Sequence, residues 1–248
     1  MINNIKILYH QGKQYIPDVK TVKVPGIFTG RPEISLEKVD EAALLETCPT
    51  NAIMLNPVRI DLGKCTFCQE CAKKFPTKIH FTTDYKISTN QRDRLIITEG
   101  ENHQIEVNKD LVRKEIRNLF SGSLKLRQVS AAGDNSCELE LNAAGNVQFD
   151  MGRFGIEFVA SPRHADGIVI TGPISKNMAE SLEITYNATP SPKIIILVGT
   201  DAISGGIFAD SPAIDRSFLE KHTVDLYIPG NPAHPLAVIN GILSLLGK

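Results

Sequence analysis

Five cysteines punctuate the 248-residue chain, and four of them fall in a pattern suited to one metal–sulfur group. Cys65, Cys68 and Cys71 recur every third residue in Cys65-Thr66-Phe67-Cys68-Gln69-Glu70-Cys71. That spacing lets three thiolates wrap one face of an iron–sulfur cube, with the fourth ligand taken from a distant Cys-Pro. Cys48-Pro49-Thr50 supplies such a pair upstream. Together Cys48, Cys65, Cys68 and Cys71 predict one 4Fe–4S cluster. Zinc competes for thiolates, but its sites use two separated pairs, or a pair followed by histidines at set spacing. Disulfides belong to oxidising compartments. The opening Met1-Ile2-Asn3-Asn4-Ile5 is too polar for a signal peptide, so reduced thiols and a cytoplasmic location are expected. Buried thiols without a metal are the remaining alternative.

The elements that must position these thiols are partly legible. Residues 1–36 read as an extended arm, broken by turns where Val24-Pro25-Gly26 and Gly30-Arg31-Pro32 cluster. Ser35 is placed to cap a helix over residues 36–47, which Pro49 ends beside Cys48. Short strands are expected over 80–85 and 94–98, where β-branched and aromatic residues gather. An amphipathic helix is expected over 108–120, with Leu111, Val112, Ile116 and Leu119 inward and a stop at Ser121-Gly122-Ser123. Beyond it, the apolar runs 167–173 and 193–199 and the segment 224–229 alternate with helices over 176–187 and 235–246. Such runs belong to parallel strands covered on both faces. The expected fold is α/β: a small doubly wound parallel sheet preceded by an α+β iron–sulfur domain. The boundaries are 1–107, a linker helix in 108–128, and 129–248. Ligands of such sheets sit at the carboxyl ends of the strands.

Composition excludes some roles. Lys and Arg total 27 against 28 Asp and Glu, and no basic run is dense enough to track phosphates, so nucleic acid is not an expected partner. No stretch approaches the roughly 20 apolar residues that span a bilayer. Gly205-Gly206 lacks the following Lys-Ser or Lys-Thr of a phosphate loop. His164 and His234 are read as structural groups, and no serine–histidine or paired-carboxylate arrangement suggests an active site. Two-cluster proteins repeat the three-cysteine motif, each repeat completing the other's cluster. In this chain 39–47 holds no cysteine, and the motif ends in Phe75-Pro76 rather than Cys-Pro. Both halves of a second site are missing together.

Several segments of the second half carry a family resemblance. They are Phe154-Gly155-Ile156-Glu157-Phe158-Val159-Ala160-Ser161-Pro162-Arg163-His164-Ala165-Asp166, Val169-Ile170-Thr171-Gly172-Pro173, Asn177-Met178-Ala179-Glu180, Ser204-Gly205-Gly206-Ile207-Phe208 and Tyr227-Ile228-Pro229-Gly230. This half resembles the small subunit of energy-converting (group 4) nickel–iron hydrogenases, including formate hydrogenlyase. It also resembles the related 20 kDa-type terminal-cluster subunit of complex I, whose fold is flavodoxin-like. The front half, with Gly30-Arg31-Pro32 and Cys48-Pro49-Thr50, resembles the ferredoxin-type (polyferredoxin) subunit of the same complexes. The chain therefore looks like a fusion of two subunits.

The resemblance implies a second 4Fe–4S cluster on loops facing the large subunit, with thiolates at positions that map to Asp134, Cys137, Asp201 and Asn231. Three of the four thiolates are replaced here. Carboxylates are harder donors and a neutral amide is a poor iron ligand, so the interface site is expected to be empty, with the loops held by hydrogen bonds. Retention of a cluster through carboxylate ligation and a hard metal among the oxygens are the alternatives. Glu138, which follows Cys137, is a candidate proton relay or simply a helix N-terminal charge. The implied partners are a hydrogenase or complex I large-subunit homologue and a membrane arm, placing the chain at the inner face of the membrane. Two functions follow from this: an assembly and docking subunit holding one cluster, favoured because ligands are lost at two sites, or an electron-transfer subunit of a hydrogenase or NADH-quinone oxidoreductase-type enzyme.

Overall fold

The computed structural model describes residues 2–12, 14–120 and 122–248. The chain opens not with an extended arm but with helix α1 (Ile2–Gln11), exposed from Asn3 onward. No glycine or proline interrupts these residues, and Gly12 closes the helix at φ +61° with its amide on the Leu8 carbonyl. The arm proper follows and straps the two halves of the molecule together. The Val19 carbonyl accepts from Tyr85 Oη (3.0 Å) and from Asn240 Nδ2 (2.7 Å), and the Ile16 amide reaches the Gln148 carbonyl.

The front half is built from small pieces: β1 (Pro32–Ile34), α2 (Glu41–Glu46), β2 (Ile53–Met54), β3 (Arg59–Asp61), α3 (Glu70–Lys74), β4 (Ile79–Phe81) and β5 (Ile96–Thr98). β1 pairs antiparallel with β4, and β2, β3 and β5 form a second antiparallel sheet. Helix α2 begins later than expected. Asp40 is its cap, accepting from the Ala43 amide, because Ser35 is drawn into the strand pair: its amide bonds Lys78 O and its hydroxyl bonds Thr77 O. Strand pairing has overridden a local capping preference.

The second half is a five-stranded parallel sheet. Its elements are α4 (Lys114–Phe120), β6 (Leu124–Ser130), α5 (Ser136–Ala144), β7 (Ile156–Phe158), β8 (Gly167–Thr171), α6 (Lys176–Ala188), β9 (Ile194–Val198), α7 (Thr200–Ser204), α8 (Ser217–Lys221), β10 (Leu226–Ile228) and α9 (Pro235–Leu245). The order β10-β9-β8-β6-β7 makes this the doubly wound, flavodoxin-like arrangement. α5 packs with α9 and α6 with α8, giving two helical layers. All residues of β8 and β9 are buried, as their apolar runs require.

Two strands escaped the sequence pattern. β6 mixes charged and apolar residues and lies in the stretch read as a linker, while β7 is three residues long. The expected helix over 108–120 is instead a 3-10 turn (Lys109–Leu111), capped by Asn108, followed by α4. Val112, Ile116 and Phe120 face the core, whereas Leu111 and Leu119 are 58% and 61% exposed. The inward stripe therefore runs at a spacing of four from Val112. Ser121 of the expected stop lies outside the described residues.

One contiguous apolar core runs through both halves. Across the seam, Thr89 forms an antiparallel bridge to Tyr227 on the outer rim of edge strand β10, and Ser88 Oγ bonds the Ala237 carbonyl in α9 (3.1 Å). Among the described residues no helix is long and apolar enough to cross a membrane. The front pieces touch closely at Gly30, where an added Cβ would lie 2.1 Å from the Asp84 carbonyl oxygen. Gly30→Ala should therefore cost about 1–3 kcal/mol of stability. Urea unfolding would show this as a lowered midpoint at unchanged slope.

Candidate metal centre

The loop between β3 and α3 carries Cys65 and Cys68, leads into Cys71 in the first turn of α3, and is shaped by Asp61. Its main-chain carbonyl accepts from the amides of Lys64 and Cys65 (3.0 and 2.9 Å). Its buried carboxylate accepts from the Gly63 amide (2.8 Å) and, through both oxygens, from Arg92 (2.8 and 2.6 Å). Such a two-point guanidinium–carboxylate fork fixes orientation as well as charge. Gly63 admits no side chain, because a Cβ there would lie 2.7 Å from Arg92 Cζ and 2.8 Å from Ile203 Cγ2.

From this base the loop delivers Cys65, Cys68 and Cys71, while Cys48 arrives beside the end of α2. All four line one cavity, walled by Ile53, Ile60 and Phe81. The backbone around them is unusual. Asn51, Phe67 and Gln69 all take positive φ (51°, 56° and 62°), a conformation that an aromatic residue such as Phe67 adopts only at a cost. Local turns of this kind aim amide groups inward. The Ala52 amide donates to Cys48 Sγ (3.2 Å) and the Phe67 amide to Cys65 Sγ (3.3 Å).

Burial pushes the Cys65 thiol well up, and the neighbouring Cys71, Cys48 and Cys68 add to the effect. Cys71 is pushed up to about 11, chiefly by burial and then by Cys68 and Cys48. Four thiolates in one apolar pocket therefore need cationic charge among them, which iron supplies. The amide-to-sulfur bonds are the kind that tune such a cluster. The residues present fit a 4Fe–4S group. Among the described residues no three His, Cys, Asp or Glu side chains are grouped closely enough to hold a metal ion.

The positions mapped to an interface cluster lie at the carboxyl ends of β6, β9 and β10. Asp134 is exposed, and its Oδ1 is taken up by the Ser136 amide (3.0 Å) and hydroxyl (2.6 Å). Cys137 is buried, with its sulfur pressed against Gly199, where a Cβ would come within 2.4 Å. Burial raises this thiol to about 11, and Glu138, Asp201 and Asp134 push the same way. Asp201 stands in the first turn of α7, 9% exposed, and Asn231 is half-buried in the loop after β10. One sulfur, two carboxylates and an amide form a hard, mixed donor set, which does not fit an iron–sulfur cube.

Glu138 is buried beside this group. Its Oε1 accepts from Ser130 Oγ and Thr171 Oγ1, both at 2.6 Å, so it clasps the ends of β6 and β8. His234 caps α9, its Nδ1 accepting from the Leu236 amide, and burial holds its pKa below the usual imidazole value. It is a structural group.

Sequence reasoning missed three supporting residues. Arg92 holds Asp61. Arg216 donates to the carbonyls of Pro173, Asp201, Ala202 and Ile203. Thr200 Oγ1 donates to the Cys65 carbonyl at 2.7 Å, joining the cysteine loop directly to α7. None stands in a motif, and only three-dimensional proximity reveals them. Arg92→Met would leave Asp61 buried without its cation. A loss of about 2–3 kcal/mol is expected in denaturant unfolding, less than the ~3–5 of a fully buried pair because Arg92 is one-third exposed.

Comparison with known proteins sets these loops in context. Residues 135–245 match the family described as NADH ubiquinone oxidoreductase, 20 Kd subunit. A probable membrane-bound hydrogenase subunit, mbhJ, of Pyrococcus furiosus is 36% identical over 120 residues, which are 48% of this chain and 72% of that protein. The B-type subunit of the NADH-quinone oxidoreductase of Heliobacterium modesticaldum is 42% identical over 119 residues, covering 48% of this chain and 68% of the relative. Among solved structures, that of the membrane-bound sulfane sulfur reductase, an archaeal respiratory membrane complex, matches at 32% identity with a TM-score of 0.46, covering 54% of this chain and 73% of that one. Cys48, Cys65, Cys68 and Cys71 precede the family match, whereas Cys137, Asp201 and Asn231 fall within it. Through this second half, the chain belongs to the family of the 20 kDa subunit of NADH ubiquinone oxidoreductase.

Proposed function

We propose that the chain is an iron–sulfur subunit of a complex I-like or group 4 hydrogenase-like complex, working mainly in assembly and docking. In this reading a ferredoxin-type part, residues 1–107, is fused through residues 108–128 to a 20 kDa-type part, residues 129–248. The second part borrows β6 from the joining stretch. Cys48, Cys65, Cys68 and Cys71 hold one 4Fe–4S cluster, and Asp134, Cys137, Asp201 and Asn231 hold none. Bound there, the cluster would supply one-electron chemistry or a rigid cross-link between distant stretches of chain. The partners are a large-subunit homologue at the carboxyl end of the sheet and, through it, a membrane arm, so the chain sits peripherally on the inner face of the membrane.

The observation that carries this reading is the contrast between the two cysteine environments. Four sulfurs share one cavity with amides aimed at two of them, while Cys137 is alone against Gly199 and Asp134 is turned back on Ser136. A second reading, electron transfer, is favoured by one contact. The Thr200–Cys65 hydrogen bond puts the cysteine loop directly behind the loop that faces the large subunit in this reading.

Iron and acid-labile sulfide counted on anaerobically purified protein test the proposal. About four of each per chain are expected, following the ligand inventory. Cys68→Ser should remove most of the iron and Cys137→Ser none of it. A count near eight, or iron lost on changing Cys137, would overturn the single-cluster assignment. Loss of electron flow in Cys68→Ser complexes that still assemble would shift the choice to the second reading.

A further inference from the structure

The loops that lack metal-binding sulfur have gathered acids instead. Asp134, Glu138 and Asp201 lie within electrostatic range of one another around Cys137. Their settings form a graded series. Asp134 is exposed, Asp201 is 9% exposed, and Glu138 is buried with both serine and threonine hydroxyls on one oxygen. Asp201 is the exception among them. Its Oδ1 is fully buried without a hydrogen-bond partner and lies against Gly206, where a Cβ would come within 1.8 Å. An ionised carboxylate placed so would hold charge on a buried oxygen that no protein donor meets, which favours the neutral acid.

No cation relieves it. From the α5 side Asp201 meets only Asp134, Cys137 and Glu138. From the α8 side it meets Arg216, whose guanidinium is occupied by the backbone carbonyls of residues 173 and 201–203. From the front half Arg92, which lies within range of Arg216, is committed to Asp61. On α7 itself Thr200 and Ser204 do not ionise. Among the described residues Asp201 has no ion pair. Burial, followed by repulsion from Asp134 and Glu138, holds its carboxyl above the usual aspartate range.

We propose that this metal-poor position is a proton-binding site, in which Asp201 takes up and releases a proton between exposed Asp134 and buried Glu138. The ligand is the proton itself, exchanged with solvent at Asp134, and Asp201 stands where the resemblance puts a thiolate. The inference rests on the reading that these loops hold no cluster.

The test is a pH titration of aspartate carboxyl carbons by NMR in selectively labelled, anaerobic protein, with iron counted on the same sample. The Asp201 signal, told apart from that of half-buried Asp225 by substitution, should titrate above the ~3.9 of an exposed side chain. That signal should vanish in Asp201→Asn. In Asp134→Asn, which leaves Asp201 intact, its midpoint should fall because a negative neighbour is gone. A raised carboxyl loses stability as pH climbs from the ordinary value through the raised one, since only the unfolded chain releases its proton there. Asp201→Asn should therefore flatten the stability curve across that window. If iron is near four and Asp201 titrates at or below the ordinary value, the proton site is overturned and the single-cluster reading stands. If iron is near eight, both fall. An Asp201 midpoint that ignores Asp134→Asn also overturns the proton site.

Discussion

A loop that turns left-handed at Phe67 and again at Gln69 cannot hold itself in shape, since each such residue costs of order 1–3 kcal/mol. It is held from outside, by the Asp61–Arg92 fork at its base and by Thr200 on the Cys65 carbonyl. The geometry of the sulfur pocket depends on these two anchors. The first belongs to the front half and the second to the parallel sheet, so the candidate cluster site is finished only when both halves are folded against each other.

The same seam explains why the carboxyl end of the sheet is so tightly specified. Thr200 also binds the Gly230 carbonyl, through its amide and its hydroxyl, and so links the loop after β9 to the loop after β10. Arg216 collects the carbonyls at the end of the short helix α7, which is too brief to satisfy them itself. Cys137, Asp201 and Asn231 therefore sit on loops whose positions are set by hydrogen bonds.

The sheet was legible where burial left an unmistakable pattern. The runs 194–198 and 167–171 are apolar throughout because both faces are covered, and the closing helix over 235–245 reads from its spacing. β6 and β7 were not legible: the first shows charge on its partly exposed positions, and the second is too short to carry a pattern. Tertiary pairing moved the start of α2 from Ser35 to Asp40. In the candidate site, the cysteines announced themselves by type and spacing, whereas Arg92, Thr200 and Arg216 are ordinary residues whose roles arise from contacts 31, 135 and up to 43 positions away. The mapping of Asp134, Cys137, Asp201 and Asn231 to an interface site came only through resemblance. That one replacement, Asp201, carries an oxygen with no partner could be learned only from the packing.

The bridge between Thr89 and Tyr227 has an architectural consequence. An open parallel sheet ends in a strand with unpaired backbone groups, an invitation to associate with any other extended chain. In this molecule the rim of β10 is closed by the molecule's own front half. Because the cover and the strand it covers lie on one chain, effective concentration rather than the abundance of a separate partner governs their encounter. Neither half has to wait, with a raw margin showing, for the other to be made.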